Sequence, residues 1–475
     1  MPTAALRHVC LVTLSLLSIF LFSGVVFGWA AFESILLSEQ RFYSELCSTP
    51  CEEQQLALNR AFTLASTAVS IVALPAGWFV DTYGPVVGLA LAGVLELVGL
   101  MGIAVCELIG SVHFDVFLFS LVTVAIAGSL CMFCGYAMPF LFPGRATLLM
   151  SATSCLFDAS CIVFPAIKAL YDSGVHFGAL MWAYVAVALV VFPLLIGAWR
   201  LCGDELRALR ATAPDEDIEN GTRAGGGGLK AAPLGRQLLS IEFICICSYS
   251  AVQVTRSNLY LGTVGLVNDG VAAATQTPGA DAEAALSTIG LIIPFGFVVI
   301  PLIDGCVQHV GLLVTLHVTS ALGLAYNALQ LAPSMLAQYA AAALFATFRA
   351  FLFSIVSSYN MATFGPRTMG RVMGLCFIAA ALVNLAQVPL VNMTITALQG
   401  DCAPMLVAVL VASAPPSLVW LVVDCKQRSE AARVSSREEP LLPWSSLSLR
   451  ASGTGAVLGP FSGPAVRKAE LTVTV

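Results

Sequence analysis

The chain has 475 residues, 58% of them hydrophobic and 11% charged, with a formal net charge of −6. That charged share is less than half of what soluble domains carry, so water is excluded as the solvent for most of the chain. Its fifteen cysteines, the Cys131 and Cys134 pair included, make no disulfide framework, because most lie in apolar runs where a thiol behaves as a small hydrophobe.

Apolar runs long enough to cross about 30 Å of hydrocarbon recur along the sequence, and twelve spans are predicted. The first six are residues 9–32, 60–80, 85–107, 114–138, 146–170 and 177–201. The second six are 238–262, 284–304, 309–332, 335–359, 370–393 and 402–423. The first run carries Gly24, Gly28 and Trp29 without a small-residue cleavage site, so it is read as a span and not as a leader. The polar loop after it holds Cys47 and Cys51, a candidate short disulfide.

Lys and Arg gather on one side of this alternation, at Arg7, Arg145, Arg200, Arg367, Arg371 and throughout 202–236 and the tail. Arg41, Arg60 and Lys168 fall on the other side. Cytosolic loops retain cations, so both termini are expected to be cytosolic. The segment 202–236, polar and Gly-rich, is expected to be a linker between a six-helix bundle at 1–201 and a second at 237–423, with 424–475 a disordered tail. Six and six around a long linker is the layout of carriers whose halves rock about a midplane site.

Ionisable residues in mid-bilayer cost about 2.5 to 3.5 kcal/mol on insertion scales, which marks Asp158, Arg256 and Arg349. Tyr249, Gln253, Arg256 and Tyr260 share one face of the seventh run, where a guanidinium offers paired donors to a carboxylate. A structural ion pair, with Asp158 as a possible partner, is the other reading of Arg256. Asp158 continues a polar face through Ser151, Ser154 and Cys161, and reads first as the partner of a neighbouring cation, then as a substrate contact, and last as a proton carrier. Arg349, with Phe353 and Ser357 on its face, is read as structural, in a tenth run that faces the fourth; Asn384 and Gln387 are read as helix-knitting or ligand-facing amides. Gly24 and Gly28 suit close helix packing or a break that admits substrate backbone groups. No nucleotide-binding loop, catalytic triad or metal cluster is present in the sequence, so no enzyme chemistry, cofactor or nucleic-acid partner is expected. The expected partners are a small-molecule substrate and the lipid bilayer.

The second run ends in Gly77-Trp78-Phe79-Val80-Asp81-Thr82-Tyr83-Gly84-Pro85 with Gly88, which resembles the signature loop of the major facilitator superfamily without its usual basic cluster. Gly77 and Gly84 permit a tight turn there, and Asp81 can set its charge on a neighbouring helix N-terminus, a gating role. Pro301, Asp304 and Gly311 form a degenerate copy in the second half. More narrowly, the chain resembles solute carrier family 43. The resemblance rests on Phe22 to Trp29, on Phe157-Asp158-Ala159-Ser160 with Ile167 to Tyr171, and on Arg256 to Thr263. Arg349 to Phe353, Gly370 to Gly374 and Gln387-Val388-Pro389 complete it. Cys131 to Tyr136 departs from it, standing where family members tend to carry an asparagine. The resemblance implies an all-α membrane protein of twelve spans in two six-helix bundles, a facilitative carrier of large neutral or cationic amino acids in the plasma membrane, with an organellar membrane as the alternative. Arg256 would hold the substrate carboxylate, and Tyr260 and Phe353 would shape the pocket. A purine nucleobase carrier and a transport-inactive receptor are the alternatives.

Overall fold

In hydrocarbon a backbone amide has no water to bond, so a spanning segment closes its hydrogen bonds within itself as a helix. The computed structural model describes residues 2–39, 52–109, 115–211, 229–230, 232–398 and 401–415, with 418, 420 and 429. Among these there are helices and turns and no strand. Cys47, Cys51, most of 202–236 and, Ser429 apart, the tail beyond 424 lie outside the described residues.

Nine helical segments among the described residues are long and apolar enough to span, from Ala57–Tyr83, the second span, to Met369–Thr394, the eleventh. Leu6–Phe22 and Val25–Glu39 form a tenth, bent by 42°. The remaining two predicted spans fall short for visible reasons. The seventh, Ile241–Thr275, is a 35-residue helix interrupted by Arg256, Asn258, Asn268 and Asp269. The twelfth, Ala403–Pro415, ends at the edge of the described residues.

Two turns share one backbone geometry at corresponding joints of the two halves. Gly84 at φ 84 joins the second span to Pro85–Cys106, the third, and Gly311 at φ 88 joins the eighth, Ala284–Val310, to the ninth, Leu312–Gln330. Only glycine adopts that left-handed geometry freely, so each half keeps one at the same joint.

Four spans lose regular α geometry in mid-course. The first breaks at Ser23 and Gly24, followed by a 3-10 turn at Val25–Gly28. The fifth, Pro143–Asp172, tightens to 3-10 at Ser160–Ile162. The eighth does so over Ile293–Val299, where Pro294 removes a donor. The eleventh is interrupted between Asn384 and Gln387.

Side chains gather into two main cores, one drawn mostly from each half. Met369 and Met373 of the eleventh span enter the first core, and Cys155 of the fifth enters the second. The halves meet along three seams: second span on eleventh, fifth on tenth (Met335–Phe364), and fifth on eighth. The tenth span thus packs on the fifth, where the sequence suggested the fourth.

Candidate functional site

At mid-length the fifth and tenth spans bring polar side chains together in pairs. Asp158 and Arg349 form a two-pronged ion pair, with Nε donating to Oδ2 at 2.8 Å and Nη2 donating to Oδ1 at 2.9 Å. Arg349 Nη1 also donates to Ser257 Oγ of the seventh span at 3.3 Å, and the guanidinium lies 5.3 Å from the Phe353 ring centre. One turn along, Ser154 and Ser357 hydroxyls meet at 3.1 Å, and Cys155 Sγ lies 3.5 Å from Ser354 Oγ. The seam follows from helix geometry: positions three and four apart share a face, so two helices in register join pair after pair.

The ion pair is partly open, at 13% and 17% side-chain exposure, and it sits beside the breaks in neighbouring spans. Gly24 N–H donates to Ser160 Oγ at 2.6 Å, two residues from Asp158. The open faces of Gly24 and Gly28 are filled by the backbone carbonyls of Phe157 and Cys161, so in this conformation both serve close packing and neither admits a ligand's backbone groups there.

Arg256 stands elsewhere. It is 3% exposed, donates from Nη1 to Ser413 Oγ at 3.0 Å, and lies 4.8 Å and 5.5 Å from the Phe348 and Tyr326 ring centres. Its Nη2 lies against Gly323, where a side chain would have no room, and Nε and Nη2 have no hydrogen-bond partner. The predicted stripe therefore faces into the second half and away from the seam. Tyr249 donates to the Leu316 carbonyl at 3.2 Å, Gln253 is fully buried with both amide atoms unpartnered, and Tyr260 stacks on Phe345 at 3.9 Å. Two readings are corrected by this. Asp158 pairs with Arg349 and not with Arg256, because Ser257 meets Arg349 while residue 256, about 100° round the seventh helix from it, meets Ser413, Tyr326 and Phe348. Tyr260 and Phe353 do not wall one pocket, since Phe353 stacks towards Phe377 at the seam.

The second contact between halves lies at the joint of the second and third spans. Asp81 accepts from the backbone N–H groups of Gly370 at 3.0 Å and Arg371 at 2.9 Å, in the first turn of the eleventh span. A carboxylate there satisfies amides that no helix can satisfy internally, and meets the positive end of its dipole. The Arg371 guanidinium adds 3.8 Å contact to Asp81 and a 3.3 Å bond to Thr82 Oγ1. Gly77 and Gly370 touch backbone to backbone, and Gly374 packs on Leu74. Asp304, its counterpart in the second half, accepts from Gln308 of its own helix.

Asn384 and Gln387 flank the break in the eleventh span, each with its amide oxygen buried and unpartnered; the Gln387 amide rests on Gly262 of the seventh. A cavity of about 470 Å³ between Asn268, Gln276, Thr277 and Leu286 lies twelve residues and more along the seventh helix from Arg256, about 18 Å or beyond. It is no part of the seam.

Sequence reasoning missed Ser257, Ser354 and the Arg371 contact. Ser354 and Ser357 stand out in an apolar run, and small hydroxyls at helical spacing were the available signal. Nothing in the sequence says which face of the seventh helix looks to the other half.

No protein-family model matches the chain. Protein FMP42 of Saccharomyces cerevisiae is 25% identical over 439 residues, 77% of this chain and 84% of that protein. Large neutral amino acids transporter small subunit 3 of Mus musculus is 31% identical over 193 residues, a match that spans 36% of this chain and only 33% of the transporter. Amino acid transporter 6-1 of Toxoplasma gondii is 22% identical over 432 residues, 83% of this chain and 75% of its own. Among solved structures, the human organic anion transporter MFSD10 superposes with a TM-score of 0.59 at 14% identity, covering 87% of this chain and 99% of that one. The major facilitator superfamily proton:xylose symporter XylE superposes at 0.54 with 15% identity, covering 92% and 96%. The chain is thus an integral membrane protein of the major facilitator fold that resembles solute carrier family 43.

Proposed function

We propose that the chain carries amino acids, large neutral ones foremost, across a membrane by alternating access, as a facilitative carrier without covalent chemistry. The observation that carries the reading is the ion pair of Asp158 and Arg349, a two-pronged charge contact at mid-membrane that joins the two halves. A pair so placed must break if the halves are to part on that side, and its two charges are those of an amino acid's head group. Relatives named as amino-acid transporters support the substrate class.

The Asp81 contact holds the halves together at one end. With both termini cytosolic, as the cation bias suggests, that end is cytosolic and the conformation is closed to the cytosol. The plasma membrane is the proposed location. Of the two guanidiniums, Arg349 lies at the seam in the grip of Asp158 and Arg256 lies enclosed within the second half.

A second reading, a nucleobase carrier, is favoured by a 26% match over 167 residues to equilibrative nucleobase transporter 1 of Bos taurus, 32% of this chain and 33% of that protein. Uptake of labelled leucine, arginine and adenine into liposomes holding the purified chain separates the two. Saturable leucine uptake, competed by unlabelled leucine and not by adenine, is the expected result; adenine uptake alone would replace the proposal with the second reading.

A further inference from the structure

Resting on the amino-acid reading, the geometry points to the Asp158–Arg349 pair as a stand-in for the substrate, opened by a zwitterion that gives its carboxylate to Arg349 and its ammonium to Asp158.

Three observations lead here. The Arg349 fork already holds a carboxylate through two N–H donors at 2.8 Å and 2.9 Å, the arrangement that any carboxylate, a substrate's included, would reproduce. Asp158 belongs to the first half and Arg349 to the second, so a ligand that bridges them also bridges the halves. The pair is also partly exposed, at 13% and 17%, whereas Arg256 is 3% exposed and enclosed by Phe348, Tyr326 and Gly323.

Exchange conserves charge at every stage. Breaking the pair alone would leave two uncompensated charges in a poorly solvated seam, which is strongly unfavourable. Inserting a zwitterion supplies each with a new partner as the old one leaves. A ligand lacking either charge satisfies one side and strands the other, so the site selects for both charges together. Ser257 keeps Arg349 aimed at the seam through its third donor, Nη1, while the carboxylates trade places. The apolar part of the substrate is left to Phe353 and Phe377, which stack 6.4 Å apart beside the pair.

The test uses the full chain in liposomes and compares inhibition of labelled leucine uptake by leucine, by leucinol, which lacks the carboxylate, and by 4-methylpentanoate, which lacks the amine. Leucinol and 4-methylpentanoate should each compete about ten- to a hundredfold more weakly than leucine, the worth of a charge-assisted hydrogen bond. Asp158→Asn should erase the preference for leucine over 4-methylpentanoate, and Arg349→Gln the preference over leucinol. Either single change strands a charge and can unfold the chain. The double variant Asp158→Asn with Arg349→Gln strands none, and in folded protein, checked by elution volume, both preferences should vanish when read as the rise in thermal midpoint that leucine, leucinol and 4-methylpentanoate each give, a readout that needs no uptake. Preferences intact in the folded double variant would overturn the stand-in role, leave the carrier reading standing and pass the carboxylate to Arg256. A wild-type chain that carries adenine and no leucine would overturn both.

Discussion

Arg256 and Arg349 show how differently one residue type behaves in two settings. Arg349 has a carboxylate in its fork, while Arg256 has one hydroxyl, two aromatic faces and two idle donors. A buried charge without a counter-charge destabilises its surroundings, and an apolar residue of like volume is often as good or better. Arg256→Met should therefore leave the thermal midpoint unchanged or raise it, since methionine fits between Phe348 and Tyr326; a fall of several degrees would show that the guanidinium holds something unseen. Glu96 poses the same question with the opposite sign. It is fully buried in the third span with both carboxylate oxygens unpartnered. Glu96→Gln should keep or raise the midpoint in differential scanning fluorimetry, because an amide costs less to bury than a carboxylate. A marked drop would point instead to a cation held there. Both residues are plain in the sequence as ionisable groups in apolar runs. Their partners are not, because helix rotation decides which neighbour a side chain meets, and one sequence does not state it.

At the level of helices, the second–eleventh contact is the one whose chemistry sequence reasoning came nearest. Asp81 follows Gly77 by four residues, and a carboxylate at such a joint finds a helix N-terminus to cap. What stayed hidden was which helix. The preference it adds for this conformation is about 1 to 2 kcal/mol, the range for side-chain caps and dipole contacts. Asp81→Ala should accordingly shift the balance towards the form open at that end by about tenfold. Distance distributions between spin labels on the second and eleventh spans would show it as a second, longer population. A single unchanged population would mean that the Gly77–Gly370 backbone contact suffices alone. Gly77→Val tests that contact directly: the added side chain meets the Gly370 backbone, and the same longer population should dominate.

Across the whole molecule, composition and run length carried most of the architecture, since a chain in hydrocarbon has few ways to satisfy its backbone. Twelve runs were legible, and the seventh and twelfth fall short in the structure because of polar interruption and the limits of the described residues. The 3-10 turns in the fifth and eighth spans had a signal that sequence reasoning passed over, Pro165 and Pro294. The turn at Ser160–Ile162 lies just ahead of Pro165, whose missing N–H leaves the Cys161 carbonyl without its helical donor. The placement of Asp158 against Arg349 was closed to sequence reasoning, because 191 residues separate them and only the packing of the two halves joins them.

The Asp81 contact has an evolutionary corollary. Its partners are main-chain amides, which every residue but proline supplies, so position 371 can drift in side-chain charge without dissolving the bond, while position 370 is held to glycine by the Gly77 backbone. Selection on the interaction then falls on Asp81 and on the two glycines that let the backbones meet, and not on a basic side chain. Chains of this kind can lose the basic residues that usually follow the aspartate and still retain the clasp.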